Sequence, residues 1–172
     1  MGPTVTALGA ASLVSATFTR PADTTTYAAG DVVSTTGGAI MEFVGAARDG
    51  VGAIQSAILL DSANVSTHLD AELWLFSSAP AVTADNAAIA FTDAELANLV
   101  GVVNFGLSSW KVGLATSGVG GNAVNCQTGI GLPFSKIIGS APTNSLYGVL
   151  VARNAYVPVS AEIFTVMLTV LY

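Results

Sequence analysis

The sequence contains one histidine, His68, and therefore one side chain that ordinarily titrates near neutral pH. A serine-histidine-aspartate triad needs such a base beside an activated serine, and no Gly-x-Ser-x-Gly turn occurs in the chain. His68, Asp70 and Glu72 alternate along one predicted strand face, which suggests a metal site. Residues two apart on a strand are separated by about 6.6 Å, so the outer pair is about 13 Å apart and one ion does not bind all three. A metal held by His68 and Asp70 with ligands from elsewhere stays open beside the simpler interpretation, a solvated strand face.

A glycine-rich stretch, Gly118 to Ala123, matches the loose Gly-x-Gly-x-x-Ala pattern of dinucleotide-binding turns. That pattern binds a pyrophosphate only when a helix follows it, and the next residues, Val124 to Gly129, are not helical in character. Two of the acidic residues could form a glycosidase pair, but nothing in the sequence indicates which. We therefore predict a protein that is not an enzyme, with no catalytic residue, cofactor or metal.

The composition indicates a protein that associates with others. Of 172 residues, 52% are hydrophobic and only 9% are charged, where typical soluble domains carry about 25% charged residues. Apolar and small residues must then cover much of the surface, so we expect a dimer or trimer. A net charge of −6 argues against nucleic acid as a partner. No apolar run reaches the ~20 residues of a membrane span, so we expect no membrane partner. Cys126 stands alone, and we expect it to be a small buried hydrophobe.

Short apolar or alternating segments separated by turn residues predict a single all-β domain over residues 1–172. The final segment is apolar on both faces, so it is central or covered by a partner. Asp49-Gly50 predicts a hairpin, Ser117–Gly131 a long loop, and Thr92-Asp93-Ala94-Glu95 the capping box of one short helix. A jelly-roll-like antiparallel β-sandwich fits best, with a simpler Greek-key sandwich as the alternative. The predicted strands are Leu13–Arg20, Asp31–Thr35, Ala39–Val44, Val51–Leu60, His68–Phe76, Val100–Phe105, Trp110–Ala115, Ile130–Ile138, Leu146–Arg153 and Ala161–Leu171.

Two stretches resemble virion proteins of tailed bacteriophages. Phe18–Val33 has the form F-x-R-P-A-D-T-x-x-Y-x-x-G-D-x-V. The second stretch begins at Leu73-Trp74-Leu75-Phe76 and runs through the residues from Asp85 to Glu95. The resemblance implies a phage structural protein and, within that class, a capsid decoration (cement) protein, a group that includes jelly-roll domains sitting as dimers or trimers on the capsid.

The resemblance also implies a location and a partner. The protein would be made in the host cytoplasm and would sit on the capsid surface of the virion, bound to the major capsid protein. The interface is our own inference from the first stretch, whose turn residues shape a loop. We predict partner contacts at Arg20, Pro21, Asp23, Tyr27 and Asp31. The alternative function is a carbohydrate- or receptor-binding module of a tail or fibre, which predicts an exposed aromatic cluster beside polar groups.

Overall fold

The computed structural model describes residues 10–47, 50–63, 67–112, 123–135 and 144–172. Within these ranges, helix α1 (Asp93–Leu96) and a 3-10 turn (Leu107–Ser109) interrupt a succession of β-strands. The strands are β1 (Ala11–Thr19), β2 (Val32–Val33), β3 (Met41–Phe43), β4 (Val51–Asp61), β5 (Ala71–Phe76), β6 (Leu99–Phe105), β7 (Trp110–Val112), β8 (Ala123–Ser135), β9 (Leu146–Ala152) and β10 (Ile163–Leu171).

The strands form two sheets whose pairing is nested. One sheet has the order β1-β10-β4-β8-β7, and the other has the order β2-β9-β5-β6, with β3 also paired to β9. Every pair is antiparallel. The first strand thus pairs with the last, β2 and β3 with β9, β4 with β8, and β5 with β6. A long antiparallel hairpin wrapped into two sheets is a jelly roll, so the predicted fold class is confirmed.

The inner faces of both sheets form one hydrophobic core. In β10, Phe164, Val166, Leu168 and Val170 are fully buried, and the strand lies between β1 and β4. The prediction that this strand is central is therefore confirmed. The other sheet contributes Ala71, Leu73 and Leu75, and Leu69, which precedes β5, is buried with them; the period-two pattern assigns all four to one face.

The predicted loop Ser117–Gly131 is wrong over its described part, because β8 begins at Ala123. This segment of small and polar residues is a strand because it pairs with β4 along most of its length. The pairing satisfies its backbone hydrogen bonds, although its side chains have a low propensity for strands. At the β-bulge, Gly129 (φ 68°) and Gly131 (φ 59°) adopt a left-handed conformation that favours glycine. The earlier part of the predicted loop and most of the Gly118 pattern lie outside the described residues.

The hairpin predicted at Asp49-Gly50 is also wrong. The strands on either side, β3 and β4, belong to different sheets, because β3 pairs with β9 whereas β4 pairs with β8 and β10. Asp49 itself lies outside the described residues. The turn signal therefore marks a crossing between the two layers of the sandwich.

Helix α1 begins at the predicted capping box. The Thr92 hydroxyl accepts a hydrogen bond from the Glu95 amide at 3.3 Å, and the Glu95 carboxylate accepts one from the Thr92 amide at 2.7 Å. These are the two reciprocal bonds of a capping box, so this prediction is confirmed. In the described part of the chain, no helix has the length and apolar character needed to cross a membrane.

Candidate functional site

The loop between β1 and β2 contains the five residues predicted to contact a partner. Arg20 and Tyr27 are only 2% and 1% exposed, so their side chains face the interior of the subunit. Pro21 and Asp31 are half-buried, and Asp23 is exposed. Asp23 Oδ1 accepts from the Thr25 amide at 3.0 Å, and Asp31 Oδ2 accepts from the Ala28 amide at 2.6 Å. In this conformation Arg20 and Tyr27 shape the loop from its buried side, whereas Pro21, Asp23 and Asp31 reach its surface.

Arg20 and Tyr27 bind a residue that sequence reasoning missed, Asp85. Asp85 Oδ1 accepts hydrogen bonds from the Tyr27 hydroxyl at 2.6 Å and the Ser34 amide at 2.8 Å, and Asp85 Oδ2 lies 3.5 Å from Arg20 Nη2. Arg20 Nε also donates to the Tyr27 hydroxyl, and the guanidinium lies 4.7 Å from the centre of the Tyr27 ring. Burial and the Asp85 carboxylate raise the pKa of the Tyr27 phenol well above its usual range. The three side chains form a buried, charge-balanced unit.

An open pocket of about 270 Å³ lies above this unit. Its two carboxylates are already paired, since Arg20 Nη2 is 3.6 Å from Asp23 Oδ1 as well as close to Asp85. Because one guanidinium balances only one of the two carboxylates, the pocket keeps a net negative charge beside the hydroxyls of Thr25 and Thr36. No group of three or more ligating side chains that could hold a metal occurs among the residues the structure describes. The pocket is lined by Pro21, Asp23, Thr25, Thr36, Asp85 and Asn86.

A second buried polar cluster adjoins the first through two stacked tyrosines. The Tyr27 and Tyr156 rings are 6.4 Å apart and nearly parallel. The Tyr156 hydroxyl donates to Glu162 Oε1 at 2.6 Å, and Asp61 adjoins Glu162 because it is in register with Phe164, two residues after Glu162. Burial raises the pKa of Tyr156 well above its usual range, with the Glu162 carboxyl adding to the effect. We call Asp61, Tyr156, Glu162 and the adjoining His68 the acid cluster.

His68 belongs to the acid cluster, and its side chain contacts residues other than Asp70 and Glu72. Its Nδ1 lies 3.9 Å from Asp61 Oδ2, and its ring stacks on Trp110 at 4.9 Å. Burial lowers the pKa of the His68 imidazole, partly opposed by the nearby Glu162 charge. Glu72 instead binds Trp74 and Arg153. The interpretation of a solvated strand face is therefore wrong at His68, which is half-buried because Trp110 covers it.

Over β1, β10 and β4, the outer surface of the first sheet carries hydroxyl and aliphatic side chains, and Lys111 faces the same side from β7 at the far edge. Register and alternation place no charged residue at the outward positions of β1, β10 and β4. Leu13 is 65% exposed there, and Cys126 on β8 is exposed as well, so the expectation of a buried cysteine is wrong. We call this surface the uncharged face. Its outward residues on the three strands are Ala11, Leu13, Ser15, Thr17, Thr19, Ile163, Thr165, Met167, Thr169, Leu171, Val51, Ala53, Ser56, Ile58 and Leu60.

The outer surface of the second sheet differs in chemistry. Trp74 contacts Phe91 at 5.5 Å between ring centres, and Tyr147 belongs to the same partly buried group. Trp74 Nε1 donates to Glu72 Oε2 at 3.1 Å, and Glu72 Oε1 forms an ion pair with Arg153 Nε at 3.2 Å. We call Trp74, Phe91 and Tyr147 with these two charged residues the aromatic strip.

Comparisons with known proteins do not assign a family. No protein-family model matches the sequence, and no curated protein matches it. Among solved structures, the chain is similar to the structure of infectious bursal disease virus Gx strain at 15% identity and a TM-score of 0.16. That alignment covers 95% of this chain and 42% of the viral chain, so the chain spans less than half of its length. A TM-score this low does not establish a shared fold.

Proposed function

We propose that this chain is a capsid decoration protein of a tailed bacteriophage, which binds the outer surface of the major capsid shell and stabilises it. The observation that carries the proposal is the uncharged face. It extends over three adjacent strands of one sheet, and a rigid sheet presents its side chains at fixed spacings.

The charge distribution explains why this face suits a protein partner. The chain carries eleven acidic residues and a net charge of −6, yet none of its acids lies at the outward positions of β1, β10 and β4. A contact made here desolvates no unpaired charge, which would otherwise be costly. It also brings no like charges together when neighbouring copies crowd on a lattice.

The two phage-like stretches support the same proposal because they pack against each other. Asp85 of the second stretch binds Arg20 and Tyr27 of the first. Main-chain bonds continue the contact, from Val32 N to Ala87 O at 2.9 Å and from Ile89 N to Gly30 O at 2.9 Å. The loop parts of the two stretches thus form one structural unit.

The proposal is tested by adding purified variants back to shells that lack the protein and measuring occupancy. Leu13→Glu places a charge on the uncharged face at an exposed position, so we expect the affinity for shells to fall about tenfold or more, as for loss of one central contact. The matched control is Val44→Glu, since Val44 is 69% exposed but lies outside that face.

A third variant separates the uncharged face from the loop end. Val157 is 60% exposed, and its segment lies beside the Pro21 loop because Ala161 N donates to Pro21 O at 3.1 Å. If Val157→Glu lost binding and Leu13→Glu kept it, the shell would contact the loop end. If all three variants bound like the wild type, the uncharged face would have no role in docking.

A second candidate, a glycan-binding module of a tail or fibre, is favoured by the aromatic strip. Aromatic rings beside Glu72 and Arg153 offer a stacking surface with hydrogen-bonding groups, as sugar recognition requires. Saturable binding of a host-surface glycan that quenches Trp74 fluorescence, together with no binding to shells, would favour this module over the decoration protein.

A further inference from the structure

The acid cluster contains two buried carboxyl groups, each with one oxygen that finds a donor and one that does not. Asp61 Oδ1 accepts from the Ala63 amide at 2.7 Å, and Glu162 Oε1 accepts from the Tyr156 hydroxyl at 2.6 Å. Asp61 Oδ2 and Glu162 Oε2 are buried and have no donor. Both residues are almost completely buried, at 0% and 2% exposure. Such orphaned acceptors are rare because each loses its hydration without compensation.

Asp61 and Glu162 adjoin each other across β4 and β10, because Asp61 is in register with Phe164 and Ser62 N donates to Ile163 O at 3.0 Å. His68 Nδ1 is a third buried atom without a partner in this cluster. A proton held between the two carboxyl groups would give both orphaned oxygens a partner. Two ionised carboxylates are both acceptors and repel each other, whereas one proton turns the same contact into a short charge-assisted hydrogen bond. The alternative donor, His68, is 3.9 Å from Asp61 Oδ2 through Nδ1, beyond hydrogen-bonding distance. The Arg20 guanidinium is engaged by Asp85 and Asp23.

We propose that Asp61 Oδ2 and Glu162 Oε2 share one proton, which fastens the end of β4 to the residue that leads into β10. The proton is taken from solvent when the chain folds and returns to solvent when the pair ionises. Loss of the proton leaves two buried negative charges beside Tyr156 and His68, so this end of the sandwich loosens at alkaline pH. The inference does not depend on the proposed function.

The direction of the pH dependence follows from the cluster. Burial and the neighbouring Glu162 raise the pKa of Asp61 to about 8. An acid whose pKa is higher in the folded state than in the unfolded state makes its full contribution to stability at pH values below its unfolded pKa. That contribution is lost as the pH rises through the pKa of the folded state. His68 acts in the opposite sense at lower pH, because its lowered pKa disfavours the folded state once the imidazole is protonated. The pH range in which stability reports the carboxyl pair and not His68 is therefore about pH 6.5 to 8.

The experiment is urea unfolding of the full chain across this window. We expect the unfolding equilibrium constant of the wild type to rise about tenfold per pH unit, because unfolding releases one proton. In Asp61→Asn, the amide oxygen still accepts from the Ala63 amide and the amide NH₂ donates to Glu162 Oε2. We expect this variant to lose the dependence and to be more stable than the wild type at pH 9. Glu162→Gln should behave alike, and Asp70→Asn, which alters a half-buried acid outside the cluster, should keep the wild-type dependence.

A measurement on the wild type covers the case in which neither variant folds. Infrared spectra at pH 7 should show the carbonyl band of one protonated carboxylic acid, and the band should disappear by pH 10. A wild type with neither the band nor the pH dependence would overturn the proposal. So would a dependence that persists in both variants, or a lower melting temperature on treatment with a chelator, which would assign the site to a metal ion.

Discussion

At the scale of single residues, the buried polar side chains are tied to partners far away in sequence. Asp85 lies 65 residues from Arg20 and 58 from Tyr27, so no local motif indicated that these residues meet. The two buried acids of the acid cluster each left a signal in the sequence. Glu162 lies at alternate positions with Phe164 and Val166, so the strand pattern places it on the same buried face. An acid on a buried face needs a partner or a proton. Asp61, which ends the apolar run of β4, left a similar signal.

The buried pair of Arg20 and Asp85 gives a residue-scale prediction. Asp85→Ala should lower the free energy of unfolding by about 3 kcal/mol, because it leaves the Arg20 charge buried and removes the acceptor of the Tyr27 hydroxyl. The measurement is urea denaturation. Asp23→Ala is the matched control, since it removes an exposed partner of the same guanidinium and should cost much less. Equal losses in the two variants would show that Asp85 does not compensate the Arg20 charge.

At the scale of elements, the pattern of alternating residues located all of the observed strands at least in part. The two wrong predictions, the loop in place of β8 and the hairpin at Gly50, share a cause, since both features depend on pairing with strands that are distant in sequence. β8 is rich in glycine and small polar residues, and its pairing with β4 decides its structure where its own side chains do not. The turn at Gly50 was recognised, but a turn residue does not reveal whether the chain returns within a sheet or crosses to the other one.

Helix α1 gives an element-scale prediction. Its capping box was predicted because it depends on residues three apart, and the structure contains both reciprocal bonds. Thr92→Ala should lower the free energy of unfolding by about 1 kcal/mol through loss of the N-cap bond. Thr24→Ala removes a threonine hydroxyl at an exposed loop position and should leave stability unchanged, as measured by the same urea denaturation. A loss of shell binding in Thr92→Ala with unchanged stability would instead assign Thr92 a direct contact.

At the scale of the whole molecule, composition and fold combine to give the candidate surface. A low fraction of charge predicted self-association or a partner, but composition does not reveal which face is uncharged. The jelly-roll order places β10 between β1 and β4 and so gathers their outward hydroxyl and aliphatic residues on one side. A modest contact of this kind becomes strong when it is repeated over a lattice.

The central claim, that the protein stabilises a preformed shell, is tested most directly by the heat resistance of shells with and without it. Shells lacking the protein should assemble but open at a lower temperature, and adding the purified protein back should restore the wild-type value. Because the uncharged face makes no ion pairs, the restored resistance should persist when the salt concentration is raised to ~1 M, where surface charges are screened. Equal heat resistance of the two kinds of shell, or restoration that disappears at high salt, would contradict this account.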